Sequence, residues 1–595
     1  MSVTIDGALV SDIDFLSLPI AAGDGVVSGG DGKFRVETPW ALARFGRLSL
    51  KPGWWRLDCE GGPDDVEVRL SSSQNPLIII PEGSARIYLS DAGGHEVSLL
   101  VSPWPGAYAF SKLRLHRLQR YETAKLIAGA AGRLVRRKDP VKLLARAARR
   151  LMAGQAVGLS LPTARSVVEG HPASAPASFS ETRPAVRWVS RDNVTLRMQE
   201  SDRLHHAAVT IVQAAFDGNP ALVATYSDVR EAGRIVPHPE WDTALGNSGA
   251  FDDAPLFLRA GVSASTLAEV VEQFGPAAVG RIPLALVDRP VASGAWPRAG
   301  AAAKLAATPR VSIIIPTKYR IDLLAKCLDG LVQKTGYPDL EIIVVDNGVT
   351  DPKFPALIAE AAKSLSIRTI DDKGPFNFSR LVNAGVKVAS GEVILLLNDD
   401  IEPIEAGWLH KLVASVLEPK VGAVGARLLY PDASIQHAGV VLGLGGTCAH
   451  LWRGLDAETA AANPYVMSAG ARMAVTGACL AVKRHEFEAV GGFDEGAFPV
   501  AYNDIDFCLR LHAKGMRNFY RGDAALIHHE SQSRGSDDVS AAKHKRQSAE
   551  AARFLDRWRH MISADPHFSP AFNPEMEIGI CHPASYAPTS SYAEI

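Results

Sequence analysis

Three apolar runs fix what this chain can fold into. They are RVSIIIPT (Arg310–Thr317), LEIIVVDN (Leu340–Asn347) and GEVILLLNDD (Gly391–Asp400), and each ends abruptly in polar residues. Runs this short, β-branched and continuously apolar belong to strands buried on both faces. Between the first two lies IDLLAKCLDGLVQKT, with apolar residues at Leu323, Leu324, Cys327, Leu328 and Leu331, the spacing of an amphipathic helix. NFSRLVNAGVKVAS, ahead of the third run, also reads as a helix. Strands alternating with helices predict a parallel α/β sheet with right-handed crossovers. Ligands of such sheets bind beyond the carboxyl ends of the strands. The polar groups expected at that edge are Pro316 and Thr317, Asp346 and Asn347, and Asn398, Asp399 and Asp400.

Two adjacent carboxylates at the end of a buried strand have two explanations. They shape an Asx turn or cap the helix that follows, or they bind a divalent cation, Mg²⁺ or Mn²⁺, completed by substrate phosphates. Further on, AYNDIDFCLRLHAKG (Ala501–Gly515) opens a helix with Asp504 and Asp506 in its first turn. Acids there suit the helix dipole, and Asp504 also suits a general base facing the crevice. ALIHHESQSRG (Ala525–Gly535) follows a strand and offers an imidazole to a metal.

The rest of the 595 residues provide for further domains. Residues 1–111 contain short alternating segments broken by Gly, Pro, Asp and Ser, which predict a small β-sandwich. Residues 112–190 read as a basic helical segment and linker. Lys112–Arg150 holds 13 Lys or Arg against two acids, Glu122 and Asp139. Such a segment suits peripheral contact with an anionic membrane, or a solvated helix face. Residues 191–300 form a mixed segment, 301–540 the α/β domain, and 541–595 a C-terminal helix and tail. The net charge of −2 gives no reason to expect a nucleic-acid partner. Six scattered cysteines without C-x-x-C pairs read as reduced thiols. MSVTIDGALVSDIDF has no basic n-region or long apolar h-region, and no run of about 18 apolar residues occurs. These features predict a cytoplasmic protein, peripheral at most on the inner membrane face.

The ordered set VSIIIPT, IIVVDN, FNFSRLVNAG, GEVILLLNDD, QHAGVVLG, VTGACLAVKR, VGGFDE, YNDIDFCLRL and HHESQSRG resembles glycosyltransferase family 2. Within that family it is similar to the large bacterial enzymes of O-antigen and cell-surface polysaccharide synthesis. The resemblance implies a glycosyltransferase A fold and inverting transfer from a nucleotide-diphosphate sugar, UDP or dTDP, to a glycan or lipid-linked acceptor. It implies Asp400 and His528 as metal ligands, with Asn398 standing where the family has its first Asp. It implies Pro316, Thr317, Asp346, Asn347, Asn383, Asn398 and Asp399 around the nucleotide, and Asp504 as catalytic base. Thr476, Gly477, Asn503 and Arg534 would lie near the sugar, acceptor or diphosphate.

Upstream, ALVATYSDVREAGRIVPHPEWD (Ala221–Asp242) and RIPLALVDRP (Arg281–Pro290) resemble the second half of such a domain. There the family's Tyr-Ser-Asp-Glu-Asp run has become Ser227-Asp228-Val229-Arg230, so a degenerate, catalytically silent domain is expected. Two other readings are a glycosyltransferase-fold scaffold or glycan-binding protein without catalysis, and another nucleotide-binding α/β enzyme. The second lacks a G-x-G-x-x-G or P-loop to support it.

Overall fold

The computed structural model describes residues 11–119, 186–290, 308–529 and 541–572, with short breaks, and the pair Tyr592–Ala593. The α/β region is built on a ten-stranded sheet. Its elements are β1 (Val311–Thr317), α1 (Ile321–Lys334), β2 (Leu340–Asp346), α2 (Phe354–Ala361), β3 (Ile367–Asp371), α3 (Phe378–Val388), β4 (Val393–Leu397), β5 (Ile401–Pro403), α4 (Trp408–Val416), β6 (Val421–Leu429), β7 (Ile435–His437), β8 (Val440–Leu442), β9 (Cys448–His450), β10 (Ala469–Arg472), β11 (Cys479–Lys483), α5 (Asn503–Ala513), β12 (Arg517–His528) and α6 (Ala541–Ile562).

The sheet order is β3-β2-β1-β4-β11-β6-β12-β5, with β7 on β6 and β10 on β12. The first four strands are parallel, and β11 joins β4 antiparallel. Every residue of β1 and β4 is buried, as their unbroken apolar runs require. Alternate side chains enter two cores. Ile313, Ile315, Leu395 and Leu397 pack with α1 and α4, while Ile314, Ile394 and Leu396 pack with α3 and α5.

Residues Gly106–Arg117 form one long strand, which corrects the expected helix start at residue 112. KLRLHR alternates with period two. Leu113 and Leu115 are fully buried, while Lys112 faces Asp58 and Glu60, and Arg114 Nε lies 2.6 Å from Asp12. These cations neutralise neighbouring strands instead of lining a helix. The remainder of the basic segment, from residue 120 to 185, lies outside the described residues. The strand belongs to a six-stranded antiparallel sheet, and a four-stranded sheet shares its core through Phe45, Val68, Leu70, Val97 and Leu99.

The middle region, residues 186–290, repeats part of the α/β sheet. Strand Ala224–Glu231 pairs with hairpin partner Arg234–Val236, antiparallel with Leu256–Arg259 and parallel with Val279–Arg289. In the same way β6 pairs with hairpin partner β7, antiparallel with β11 and parallel with β12. Even the irregularity recurs: the parallel register breaks after Ser227 in one copy and after Ala426 in the other. Asp228 therefore corresponds to Arg427, and the middle sheet holds no four-stranded parallel array like β3-β2-β1-β4.

Among the described residues no helix is long and apolar enough to cross a membrane.

Candidate active site

The carboxyl ends of β1, β2 and β4 open on one edge, where their polar residues interlock. At the end of β1, Thr317 Oγ1 donates to Asp399 Oδ2 at 2.7 Å. After β2, Asp346 Oδ1 accepts the N–H groups of Gly348 (2.8 Å) and Val349 (2.6 Å), shaping the turn. Asn347 Nδ2 donates to the carbonyls of Asp372 and Gly374, and its Oδ1 accepts from Lys318 Nζ at 3.2 Å. Pro316 lies in β1 opposite Val345. The Asn347 N–H also donates to Thr317 O, so the ends of β1, β2 and β4 are bonded to one another.

Past β4 the chain turns into the short strand β5, which pairs with the end of β12 so that Ile401 faces His528. The pairing brings two distant residues together: His528 Nε2 lies 3.1 Å from Asp400 Oδ1, and both side chains are less than a tenth exposed. Asp400 O also accepts the N–H of His529. His529 itself turns to Glu402, 2.8 Å away, so His528 is the histidine that faces Asp400.

The donors suit a divalent cation. Two ligands about 2.1 Å from an octahedral ion and adjacent to each other stand about 3 Å apart, the spacing of this pair. Among the described residues, buried Asn398 Oδ1 and His528 Nδ1 have no hydrogen-bond partner, as expected of a set arranged around something else. No group of three or more His, Cys, Asp or Glu gathers among the described residues. One carboxylate and one imidazole would thus leave most positions to substrate oxygens and water, as Mg²⁺ sites commonly do.

Asp504 occupies the first turn of α5. Its Oδ2 accepts the N–H of Gly477 at 2.7 Å and its Oδ1 that of Ile505 at 2.9 Å. Burial raises its pKa above the ordinary carboxylate range, although these N–H groups favour the charged form. The side chain keeps some exposure. The turn Thr476–Ala478 joins it to the Asn398–Asp400 segment, because Ala478 O accepts the N–H of Asn398 and Thr476 Oγ1 accepts that of Ala478. Gly477 eases this approach: a Cβ there would stand 3.2 Å from Asp504 Cβ and press it aside.

Two expected site residues are engaged elsewhere. Asn383 binds the main chain of Phe493 through both amide atoms and donates to Glu495 Oε1, fixing the Gly-Gly-Phe-Asp turn. Asn503, 4% exposed, donates to Ser379 Oγ and accepts the N–H of Asp504, tying α5 to α3. Arg534 lies outside the described residues.

Sequence reasoning did not single out three residues near Asp504. Tyr502, immediately before α5, has a left-handed backbone (φ 61°) and lies 3.4 Å from Thr447 on the β8–β9 hairpin. His437 and His450 meet behind Thr476. QHAG was visible as a motif, but nothing local in it reveals a second histidine as partner.

Residues 312–438 match the model of the family described as glycosyl transferase family 2. The chain is 38% identical over 334 residues to the uncharacterized protein y4gI of Sinorhizobium fredii, covering 56% of this chain and 35% of that protein. It is 41% identical over 238 residues to the O-antigen biosynthesis protein RfbC of Myxococcus xanthus, covering 40% and 18%. The chain thus spans 35% and 18% of the lengths of these two relatives. A solved mannosyltransferase of Pyrobaculum calidifontis, in complex with GDP-Man and Mn²⁺, aligns with 44% of this chain and 68% of its own at 20% identity and a TM-score of 0.33. The segment that matches glycosyl transferase family 2 runs from β1 through the NDD turn to QHAG.

Proposed function

We propose that the chain is an inverting glycosyltransferase that moves a sugar from a nucleotide-diphosphate donor to a glycan or lipid-linked glycan in cell-surface polysaccharide synthesis. The observation that supports this reading is the Asp400–His528 pair, brought to 3.1 Å where β5 pairs with β12, with Asp504 linked to the neighbouring Asn398 through the Gly477–Ala478 turn. The O-antigen role in the name of the Myxococcus relative supports the pathway class.

Asp400 and His528 would hold Mg²⁺ or Mn²⁺, which would supply positive charge to the departing diphosphate. The chain's own residues do the rest. Thr317, Asp346 and Asn347 shape the nucleotide pocket, with Lys318 fixed at its rim. Asp504 removes the proton from the acceptor hydroxyl. That oxygen bonds to the anomeric carbon as the bond to the diphosphate breaks, and the leaving group takes the electron pair. A single displacement from the opposite face inverts the configuration. A UDP or dTDP sugar is the donor we favour. The middle region is a degenerate half of the same fold and takes no part in the chemistry.

Thermal unfolding with UDP, dTDP, GDP and CMP, each with and without Mn²⁺, tests this reading. A ligand at a hundredfold excess over its Kd stabilises the native state by about 2.7 kcal/mol. One nucleotide should raise the Tm only with Mn²⁺, and Asp400→Ala should abolish the rise. No response to any nucleotide would refute the assignment.

A further inference from the structure

His437 is a buried titratable group beside Thr476 to which the proposed reaction gives no role. It lies at the end of β7, fully buried, and both of its ring nitrogens are engaged. The Thr476 N–H lies 3.5 Å from Nε2. Nδ1 lies 2.8 Å from Nδ1 of His450, on β9, with the two rings nearly perpendicular.

Donor logic then fixes both tautomers. A backbone N–H only donates, so His437 Nε2 accepts and carries no proton. A neutral imidazole with an unprotonated Nε2 has its proton on Nδ1. That proton points at His450 Nδ1, which must accept, so His450 carries its proton on Nε2. Burial, and then the nearby His450, Arg472 and His528, depress the proton affinity of His437 well below the usual histidine range, which keeps the ring neutral.

The chain continues to the base. Thr476 and Gly477 are consecutive. Gly477 N–H holds Asp504 Oδ2 at 2.7 Å, and the Thr476 side chain also helps to hold the Asp504 carboxylate in its charged form. The β8–β9 hairpin that carries His450 is fastened to the same segment, since Val440 N–H donates to Ala474 O at 2.9 Å. A ring that lost its grip on Thr476 would loosen the turn that holds Asp504 Oδ2.

We propose that the His437–His450 imidazole pair is a positioning device for the catalytic base, setting the Thr476–Gly477 turn through a directed hydrogen-bond chain. This rests on the glycosyltransferase reading given above. His437 touches no reacting atom in this scheme and acts through the turn. A small displacement of a reacting group is enough to cost about 10²-fold in rate.

The test compares wild type with His437→Leu and His437→Gln. The assay is release of nucleoside diphosphate from UDP-glucose, UDP-N-acetylglucosamine, dTDP-rhamnose and GDP-mannose with Mn²⁺. With whichever donor wild type turns over, His437→Leu should lower kcat by about 10- to 100-fold and leave the donor KM within about threefold. His437→Gln, whose carbonyl can still accept from Thr476, should recover most of the loss. An ordinary packing role would not separate Leu from Gln in kcat at equal folding. If His437→Leu does not fold, His450→Leu, at the more exposed end, takes its place with the same expected split.

Independently of turnover, ¹⁵N spectra of labelled histidines should show His437 protonated at Nδ1 and His450 at Nε2. A folded His437→Leu enzyme with wild-type kcat, or a His437 protonated at Nε2, would overturn the positioning role and leave the transferase standing. A wild-type protein inactive on all four donors would overturn the transferase reading and this role with it.

Discussion

Asp504, the base we propose, is shaped at the scale of one residue by burial and two backbone donors. Its carboxylate is partly shielded from water, which raises its pKa, yet two backbone N–H groups orient both oxygens. Asp504→Asn retains an acceptor for Gly477 but removes the basic oxygen. It should lower kcat by about 10² to 10⁴-fold with an unchanged Tm, and a variant of wild-type turnover would refute the assignment. Because the base must be ionised, wild-type activity should fall as the pH drops through its raised pKa. Gly477→Ala offers a finer probe: the added methyl presses on Asp504 from 3.2 Å, so kcat should fall while nucleotide-induced stabilisation is kept. Asp400, His528 and Asp504 were singled out by motif order, and the structure brings the first two to 3.1 Å and bonds the third to Gly477. The structural duties of Asn383 and Asn503 were not, since an amide's partners come from distant turns such as Phe493–Glu495 and from Ser379.

Among the elements, β1, β2 and β4 were legible because burial on both faces leaves only apolar residues in them. β3 was missed: IRTID sits at the sheet edge with no fully buried residue, so it shows no apolar run. The strand ending at Arg117 was misread because basic residues mask its period of two. The C-terminal helix α6 was expected, but its attachment was not. It clamps α5 through Asp506, which is fully buried and accepts from Arg510 Nε (2.8 Å), Arg557 Nη1 (2.8 Å) and Trp558 Nε1 (2.9 Å). Removing one partner of a buried charged network is strongly destabilising. Asp506→Ala should therefore lose roughly 3–5 kcal/mol in urea unfolding. A loss under 1 kcal/mol would mean that α6 is not held this way.

Across the whole molecule, the segment following α6 joins the two α/β regions. Asp565 Oδ2 accepts Leu442 N–H on the hairpin behind the active site, Pro566 O accepts Glu240 N–H in the middle region, and Ser569 Oγ bonds both Arg281 and Asp228. Burial raises the Asp565 pKa to about 6 from 3.8. A raised carboxyl pKa means that the folded state binds the proton more tightly, so this group adds stability below about pH 4 and loses it as the pH rises through about 6. Discounted for its partial exposure, the effect is roughly 1–2 kcal/mol. The stability advantage of Asp565→Asn over wild type at pH 7.5 should therefore shrink as the pH falls and vanish only below about pH 4 in urea titrations, and a constant difference would refute the linkage. Asp228 carries the sharper question, whether the middle region catalyses anything. Its carboxylate is fully buried, with His238 N–H at 2.8 Å, Arg281 at 3.8 Å and Ser569 at 3.4 Å. It corresponds in register to Arg427 of the α/β domain and not to Asp400. An acid enclosed this way ties its domain to the tail through Ser569, which is the role we propose for it. Asp228→Ala should destabilise the middle region by about 1–3 kcal/mol, the cost of leaving buried donors unmatched, while kcat stays within about twofold of wild type under conditions where the chain remains folded. Loss of transfer in a fully folded Asp228→Ala protein would instead make the middle region a working half of the enzyme.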